Sequence, residues 1–370
     1  MLFILSEKLL DICSKANGAE LDGLQNLLLS VRQGRHAISG KKALFSTLAK
    51  NNALSNRERA TALNLANRSA ELPLLERTVK NKILVLPHLD QKLLREGGEF
   101  GWQVDVKELR FKFLDSLVVL AENSTDAELY RRAAMHYQIS RKIKGVLPCS
   151  SARGGGGSQI DVELKNLVAD GIPVFAITDG DYLFPGMGES HTASRCAALV
   201  GEQRGMSWHY GLPTREVENI IPVDILFSVS DPANSDRALS STKQLESTTE
   251  KLKSCPCNYV CFKKGITLAR IFESENPGER EYWLSVAEAM KHLRSKSFQQ
   301  CLQNGSCGRG EACDCEVSHG FGENVLRQVK AWIDEQSSHS SLQRFGKSKV
   351  WMGIGEMIFD ASIAFRPANV

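Results

Sequence analysis

The sequence predicts an α/β fold: a Rossmann-like parallel sheet flanked by helices, with an α-helical region before it and a cysteine-rich segment after it. Three observations carry this. From about residue 106 to about 230, short apolar runs alternate with helical stretches, the pattern of a parallel sheet with helical crossovers. Before residue 80, apolar positions recur at three and four residues, the spacing of a helix face. Seven of the ten cysteines fall between Cys255 and Cys315.

Residues 1–105 read as a helical docking or regulatory region. Leu9, Leu10, Ile12 and Cys13 form one apolar face, and Leu21, Leu24, Leu27, Leu28 and Val31 form another. Ser55 followed three residues later by Glu58 is the signature of a capped helix start. Lys82 to Pro87 reads as a short strand, and Leu89 to Phe100 as a polar connector. Met1 to Leu5 is apolar but short, lacks a basic flank and runs into Glu7 and Asp11, so it does not read as a secretory signal.

Residues 106–275 read as the sheet domain. Leu117–Ala121 is the first strand, with Ser124 capping a helix to Tyr137; Ile143–Pro148 is the second. Arg153-Gly154-Gly155-Gly156-Gly157-Ser158 follows, then a helix from Gln159 to Ala169 that Gly171 stops. Pro173–Thr178 is the third strand and Ser207–Leu212 the fourth. The glycine string reads as a phosphate-facing turn, holding an anion with Arg153 and the backbone of Gly155 and Gly156, or equally as a flexible loop. It is also the sequence of a common engineered linker, but its place between a strand and a helix favours a native turn. Residues 228–258 read as a polar insertion and Tyr259–Phe262 as a further strand. Residues 276–370 read as a C-terminal helical and Cys-rich region, with helices over Trp283–Leu293 and Gly322–Ile333.

Composition sets broad limits. The 370 residues are 42% hydrophobic and 24% charged, with a mean hydropathy of −0.23, as in ordinary globular proteins. A net charge of +3 neither requires nor excludes a nucleic-acid partner. No stretch approaches the roughly 20 apolar residues of a membrane span, so the expectation is a cytoplasmic protein without a membrane partner.

Two acidic clusters stand at strand ends: Glu122 with Asp126, and Asp179-Gly180-Asp181. In a parallel sheet the carboxyl ends of the strands line one edge, where ligands bind. If the third strand runs through Asp181, Asp179 and Asp181 share a face. Carboxylates gathered there repel one another unless a cation lies between them. Mg²⁺, or Mn²⁺, suits such oxygens and keeps waters for a phosphate substrate. A lone Asp-Gly-Asp after a strand is usually a turn; the joint order of strand-Glu, Gly-rich turn, helix and strand-Asp-Gly-Asp is more specific.

That order resembles the Toprim domain of topoisomerases, primases and OLD-family nucleases. Leu117 to Asp126 looks like the first Toprim motif, with Asn123 where Gly is common, and Phe175 to Asp181 looks like the second. Thr214-Arg215-Glu216-Val217-Glu218-Asn219-Ile220-Ile221 is similar to a stretch of the OLD-like branch. The resemblance spans roughly residues 115–270. It implies a metal-dependent nuclease that hydrolyses phosphodiester bonds of DNA or RNA. Glu122, Asp179 and Asp181 would hold one ion, Asp126 with Glu216 or Glu218 a second, and Lys264 or Lys263 would assist. OLD-family chains usually carry an ABC-type ATPase, but no Gly-x-x-x-x-Gly-Lys-Ser/Thr occurs here: Ser39-Gly40-Lys41-Lys42 lacks the upstream glycine at the right spacing. The analogy therefore implies a separate partner, such as an ABC-type ATPase, and a role as effector in bacterial anti-phage defence. The alternative is a non-catalytic subunit that kept the fold.

Cys301, Cys307, Cys313 and Cys315, with His319 close behind, are candidates for a structural Zn²⁺ site, with Cys255, Cys257 and Cys261 as further thiols. Free or redox-active thiols and disulfides remain open for the same residues.

Overall fold

A computed structural model describes residues 1–95, 101–202, 205–308 and 315–367. Internal contacts divide the chain into two compact units. The first is Met1–Ile177, Arg195–His209 and Met352–Val370; the second is Thr178–Ser194 and Tyr210–Trp351. Residues 1–105 thus share a unit with the sheet that the sequence reading separates from them, and no division falls near residue 275.

The N-terminal region is itself α/β, which corrects the helical expectation. Strands β1 (Leu2–Leu5), β2 (Ala37–Ser39), β3 (Lys82–Leu86), β4 (Leu93–Arg95) and β5 (Trp102–Asp105) form a sheet in the order β2-β1-β3-β5-β4. Every pairing is parallel except β4 with β5. β1 is buried along its whole length and lies between β2 and β3 in the sheet. Its apolar run is too short to show a period, so the helices around it dominated the pattern. Those helices form where expected, at Ala19–Arg32, Lys42–Lys50 and Asn56–Asn67. The last begins with a complete capping box: Ser55 Oγ accepts from Glu58 N, and Glu58 Oε2 accepts from Ser55 N at 2.9 Å.

The remaining strands are β6 (Leu117–Ala121), β7 (Val146–Pro148), β8 (Ser150–Gly154), β9 (Val174–Thr178), β10 (Ser207–Gly211), β11 (Gly265–Thr267), β12 (Glu316–His319) and β13 (Ile363–Phe365). The central sheet has the order β10-β9-β6-β8, with β6 parallel to both β8 and β9. Val118, Leu120, Val174 and Ala176 face a core completed by Ile160, Leu164 and Leu167 of the helix Ile160–Ala169 and by Cys196 and Val200. On the other parity Phe175 stacks on Trp208 at 6.4 Å. Burial on both faces is why β6 and β9 read as unbroken apolar runs.

The second strand of this sheet is not Ile143–Pro148. β7 pairs antiparallel with β13 instead, and Ser150–Gly154 lies beside β6. That segment, Ser-Ser-Ala-Arg-Gly, is an edge strand and only partly buried, so it needs no apolar run.

In the second unit, the polar stretch 228–258 is mostly helical, with one helix over Pro232–Ser247. Its buried face includes Ser241 and Thr242, whose hydroxyls donate to Ala238 O at 2.9 and 2.8 Å. Small hydroxyl residues satisfied by their own helix can be buried without an apolar signature. Residues 259–262 form no strand; β11 begins at Gly265 and pairs antiparallel with β12. Helices at Pro277–Met290 and Val325–Glu335 match the expected pair, and a further helix, Lys296–Asn304, lies between them in sequence.

Candidate functional site

In the first unit, Ala121 pairs with Ile177, so β6 and β9 end at the same edge of the sheet. Glu122 follows β6 directly. The chain then turns into the helix Ser124–Ser140, whose N-cap is Asn123 rather than Ser124. Asp126 lies on the first turn, buried, and accepts from Asn123 Nδ2 at 3.3 Å. A carboxylate there also meets the positive end of the helix dipole. The charge of Glu122 reaches Cys196: burial first, then Asp161, push that thiol up to about 12, Arg195 opposes them, and Glu122 adds to the rise.

The glycine string closes around the end of β6. Gly155 N donates to Ala121 O at 2.7 Å and Gly157 N to Glu122 O at 3.0 Å. A Cβ on Gly155 would lie 2.6 Å from Ile160 Cα, and one on Gly154 2.8 Å from Ser124 N, so this turn is shaped for glycine. The same contacts correct the phosphate assignment. The Gly155 N–H is spent on β6, and Arg153 Nε pairs with Glu163 Oε1 at 2.6 Å. Gly156, with a φ of 76°, leads into the turn before the next helix and has open space around it.

In the second unit, Asp179 follows β9, which ends at Thr178. Asp181 does not continue the strand: its φ is 54°, it is exposed, and its N–H donates to Arg215 O at 2.8 Å. Asp179 and Asp181 are therefore not a pair on one strand face. Between them Gly180 is required by close approach, since a Cβ would sit 2.3 Å from Thr214 O and 2.5 Å from Leu212 O.

The segment Arg215–Asn219 is fastened on both sides. Arg215 N donates to Asn258 O at 2.8 Å, and Asn219 Nδ2 donates to Cys257 O at 2.7 Å and Val260 O at 2.9 Å. Those bonds carry residues 257–263 to the acids, and Lys263 arrives with them. Its Nζ lies 3.0 Å from Glu218 Oε1 and 3.4 Å from Glu216 Oε2. Glu218 is fully buried. Burial first, then the Glu216 charge, push its carboxyl up to about 7 against the pull of Lys263. Burial works against the Lys263 ammonium, but Glu218, Glu216 and then Asp179 outweigh it and hold its pKa above the ordinary range.

The basic residue at this cluster is thus Lys263, not Lys264. Lys264 is exposed and pairs with Glu323 at 3.4 Å. The signal was local: Lys263 adjoins the buried run Val260–Phe262, whereas Lys264 adjoins the glycine of the turn. Asn219, within the Thr214–Ile221 stretch, fixes this geometry through its side-chain amide.

Cys301 and Cys315 bring their sulfurs to 3.6 Å. Cys313 lies outside the described residues. His319 is turned elsewhere: its Nδ1 is 2.9 Å from Glu316 Oε1 and its Nε2 is 3.2 Å from Asn234 Oδ1. Both ring nitrogens are taken, which removes His319 from the candidate zinc ligands. Cys255 and Cys257 interact, and the hydrogen bond from Cys257 holds the Cys255 thiol down to about 6.

Among the described residues, no group of three or more His, Cys, Asp or Glu side chains is arranged to hold a metal ion. Among them also, Glu216 Oε1 and Glu218 Oε2 are buried without a hydrogen-bond partner. Each carboxylate thus has one oxygen facing Lys263 and one without a hydrogen-bond partner, and an oxygen of the second kind fits a hard cation. No helix among the described residues is long and apolar enough to cross a membrane. The chain is an α/β protein with a parallel sheet flanked by helices. It matches no protein-family model, and no curated protein or solved structure matches it significantly.

Proposed function

We propose that this chain is a metal-dependent nuclease of the Toprim type, resembling the OLD-like branch, that hydrolyses phosphodiester bonds of DNA or RNA. The observation that carries the reading is the buried Glu218 beside Glu216, with carboxylate oxygens that lack hydrogen-bond partners. The parallel strands β6 and β9, each running into an acid, are consistent with it.

The resemblance assigns Glu122, Asp179 and Asp181 to one Mg²⁺ or Mn²⁺ ion and Asp126 with Glu216 or Glu218 to a second. Such an ion supplies charge neutralisation at a phosphate and lowers the pKa of a bound water. Lys263 lies between the fully buried Glu218 and the partly buried Glu216, and its ammonium offers a donor to a phosphate oxygen. Asn219 positions Lys263 through the backbone of residues 257–260. Restraint by a separate partner, an ABC-type ATPase in an anti-phage setting, rests on family analogy alone.

The second reading is a non-catalytic subunit of the same fold. It is favoured by Lys263, whose ammonium already pairs with Glu216 and Glu218.

The test incubates plasmid, single-stranded DNA and tRNA with protein and Mg²⁺ or Mn²⁺, with and without candidate partners. Glu122→Ala, Asp179→Ala and Glu218→Gln are run beside the wild type. The nuclease reading expects cleavage that each variant lowers by at least about 100-fold, the usual scale for loss of a charge-stabilising group. Equal behaviour of wild type and variants under every condition leaves the subunit reading.

A further inference from the structure

We propose that the first unit carries a nucleotide-binding cavity separate from the strand-end acids. It is a concave space of about 690 Å³ lined by the helix Leu72–Thr78, the C-terminal end of Ser124–Ser140, the loop to β7, and Phe365 of β13. This volume lies within the roughly 300–1,000 Å³ of small-molecule sites.

Its chemistry is divided. Leu72, Ile143 and Phe365 give an apolar wall, while Arg68, Arg141, Lys142 and Lys144 bring cations to it. The carboxylate in the lining, Glu71, is already paired with Arg68 Nε at 3.3 Å. Among the described residues Arg141, Lys142 and Lys144 make no ion pair, and all three are exposed. Three exposed cations bordering one space make a positive rim that attracts an anion.

The apolar part favours a planar ligand body. Arg68 lies 4.7 Å over the Phe365 ring and Arg141 lies 5.6 Å over the Tyr137 ring, so two flat guanidinium-aromatic pairs border the space. Planar faces of this kind stack on bases. A smaller cavity of about 290 Å³ shares Arg68 and Phe365 and adds Arg32 and Arg366. Among the described residues the Nε of Arg32 is buried without a hydrogen-bond partner, which marks a place for a further acceptor. A nucleoside di- or triphosphate meets all of these features: a base for the flat guanidinium groups and several phosphates for the cations. An acyl chain leaves the cations unmatched, and inorganic phosphate leaves the apolar wall empty. The cavity does not rest on the nuclease reading.

The experiment is isothermal titration of the full chain with ATP, adenosine and inorganic pyrophosphate, beside the exposed double variant Lys142→Glu/Lys144→Glu and Arg141→Ala. Circular dichroism confirms that each variant is folded. ATP is expected to bind with a Kd on the order of 10–100 μM, and the variants to weaken it by about tenfold or more. Adenosine and pyrophosphate are each expected to bind at least about tenfold more weakly than ATP. Absence of ATP binding up to about 2 mM, affinity unchanged in the folded variants, or pyrophosphate binding as tightly as ATP overturns the proposal.

Discussion

The Lys263 ammonium stands 3.0 Å from Glu218 Oε1 and is the positive charge paired with a carboxylate that has no solvent exposure. Removing one member of such a pair leaves the other buried and uncompensated, at a cost of about 3–5 kcal/mol. Lys263→Met is therefore expected to unfold well below the wild type in EDTA. If the glutamates accept a divalent ion, Mg²⁺ raises the melting temperature of Lys263→Met more than that of the wild type. Equal shifts in differential scanning fluorimetry would show that the glutamates take no cation.

Two glycines of the site differ in what they require. Gly180→Ala drives a methyl to 2.3 Å from a backbone oxygen and must displace main chain, so a loss of about 2–3 kcal/mol is expected. Gly156→Ala meets open space and costs only the left-handed backbone conformation, about 1–2 kcal/mol. Urea denaturation of both variants checks the order; a larger loss at Gly156 contradicts the packing described.

Asp360 supplies a pH dependence away from the site. Burial pushes its carboxyl up to about 7; the Lys80 amide, donating to Oδ2 at 3.2 Å, opposes this, and Glu356 adds to it. A carboxyl whose folded pKa lies above its unfolded value takes up a proton on folding between the two. Its stabilising contribution is full below about pH 4 and is lost as pH rises through 7. Asp360→Asn keeps an acceptor for Lys80 without the buried charge. It is expected to match the wild type near pH 4 and exceed it at pH 8 by on the order of 2–4 kcal/mol. Melting curves across that range provide the check; a constant difference would mean that Asp360 does not titrate as described.

The 3.6 Å separation of Cys301 and Cys315 suits two ligands of one tetrahedral zinc, whose thiolates at about 2.3 Å from the metal stand roughly 3.8 Å apart. Purified protein is expected to carry about one zinc per chain, lost in Cys301→Ser. Metal analysis below about half a zinc per chain removes the assignment.

The Ser55 capping box predicts a small, local effect. Ser55→Ala removes the side-chain acceptor for Glu58 N and should cost about 1 kcal/mol. A loss several times larger in chemical denaturation would mean that Ser55 does more than cap.

Where residues carry a local signal, the sequence by itself determined the outcome. Leu117–Ala121 and Val174–Thr178 are buried on both faces, so their apolar runs mark parallel strands, and the acids that follow them mark the strand ends. Ser55 and Glu58 set a helix start through contacts three residues apart. The tertiary structure decided what depends on distant partners. Leu2–Leu5 is a central strand only because β2 and β3 flank it, and Ser150–Gly154 is a strand only because β6 offers it a ladder. Lys263 rather than Lys264 meets the glutamates because Asn219 holds the carbonyls of Cys257 and Val260, some 40 residues away in sequence. Periodicity reports which side of an element is buried, but not which neighbour buries it, and hydrogen bonds across such separations leave no spacing to read.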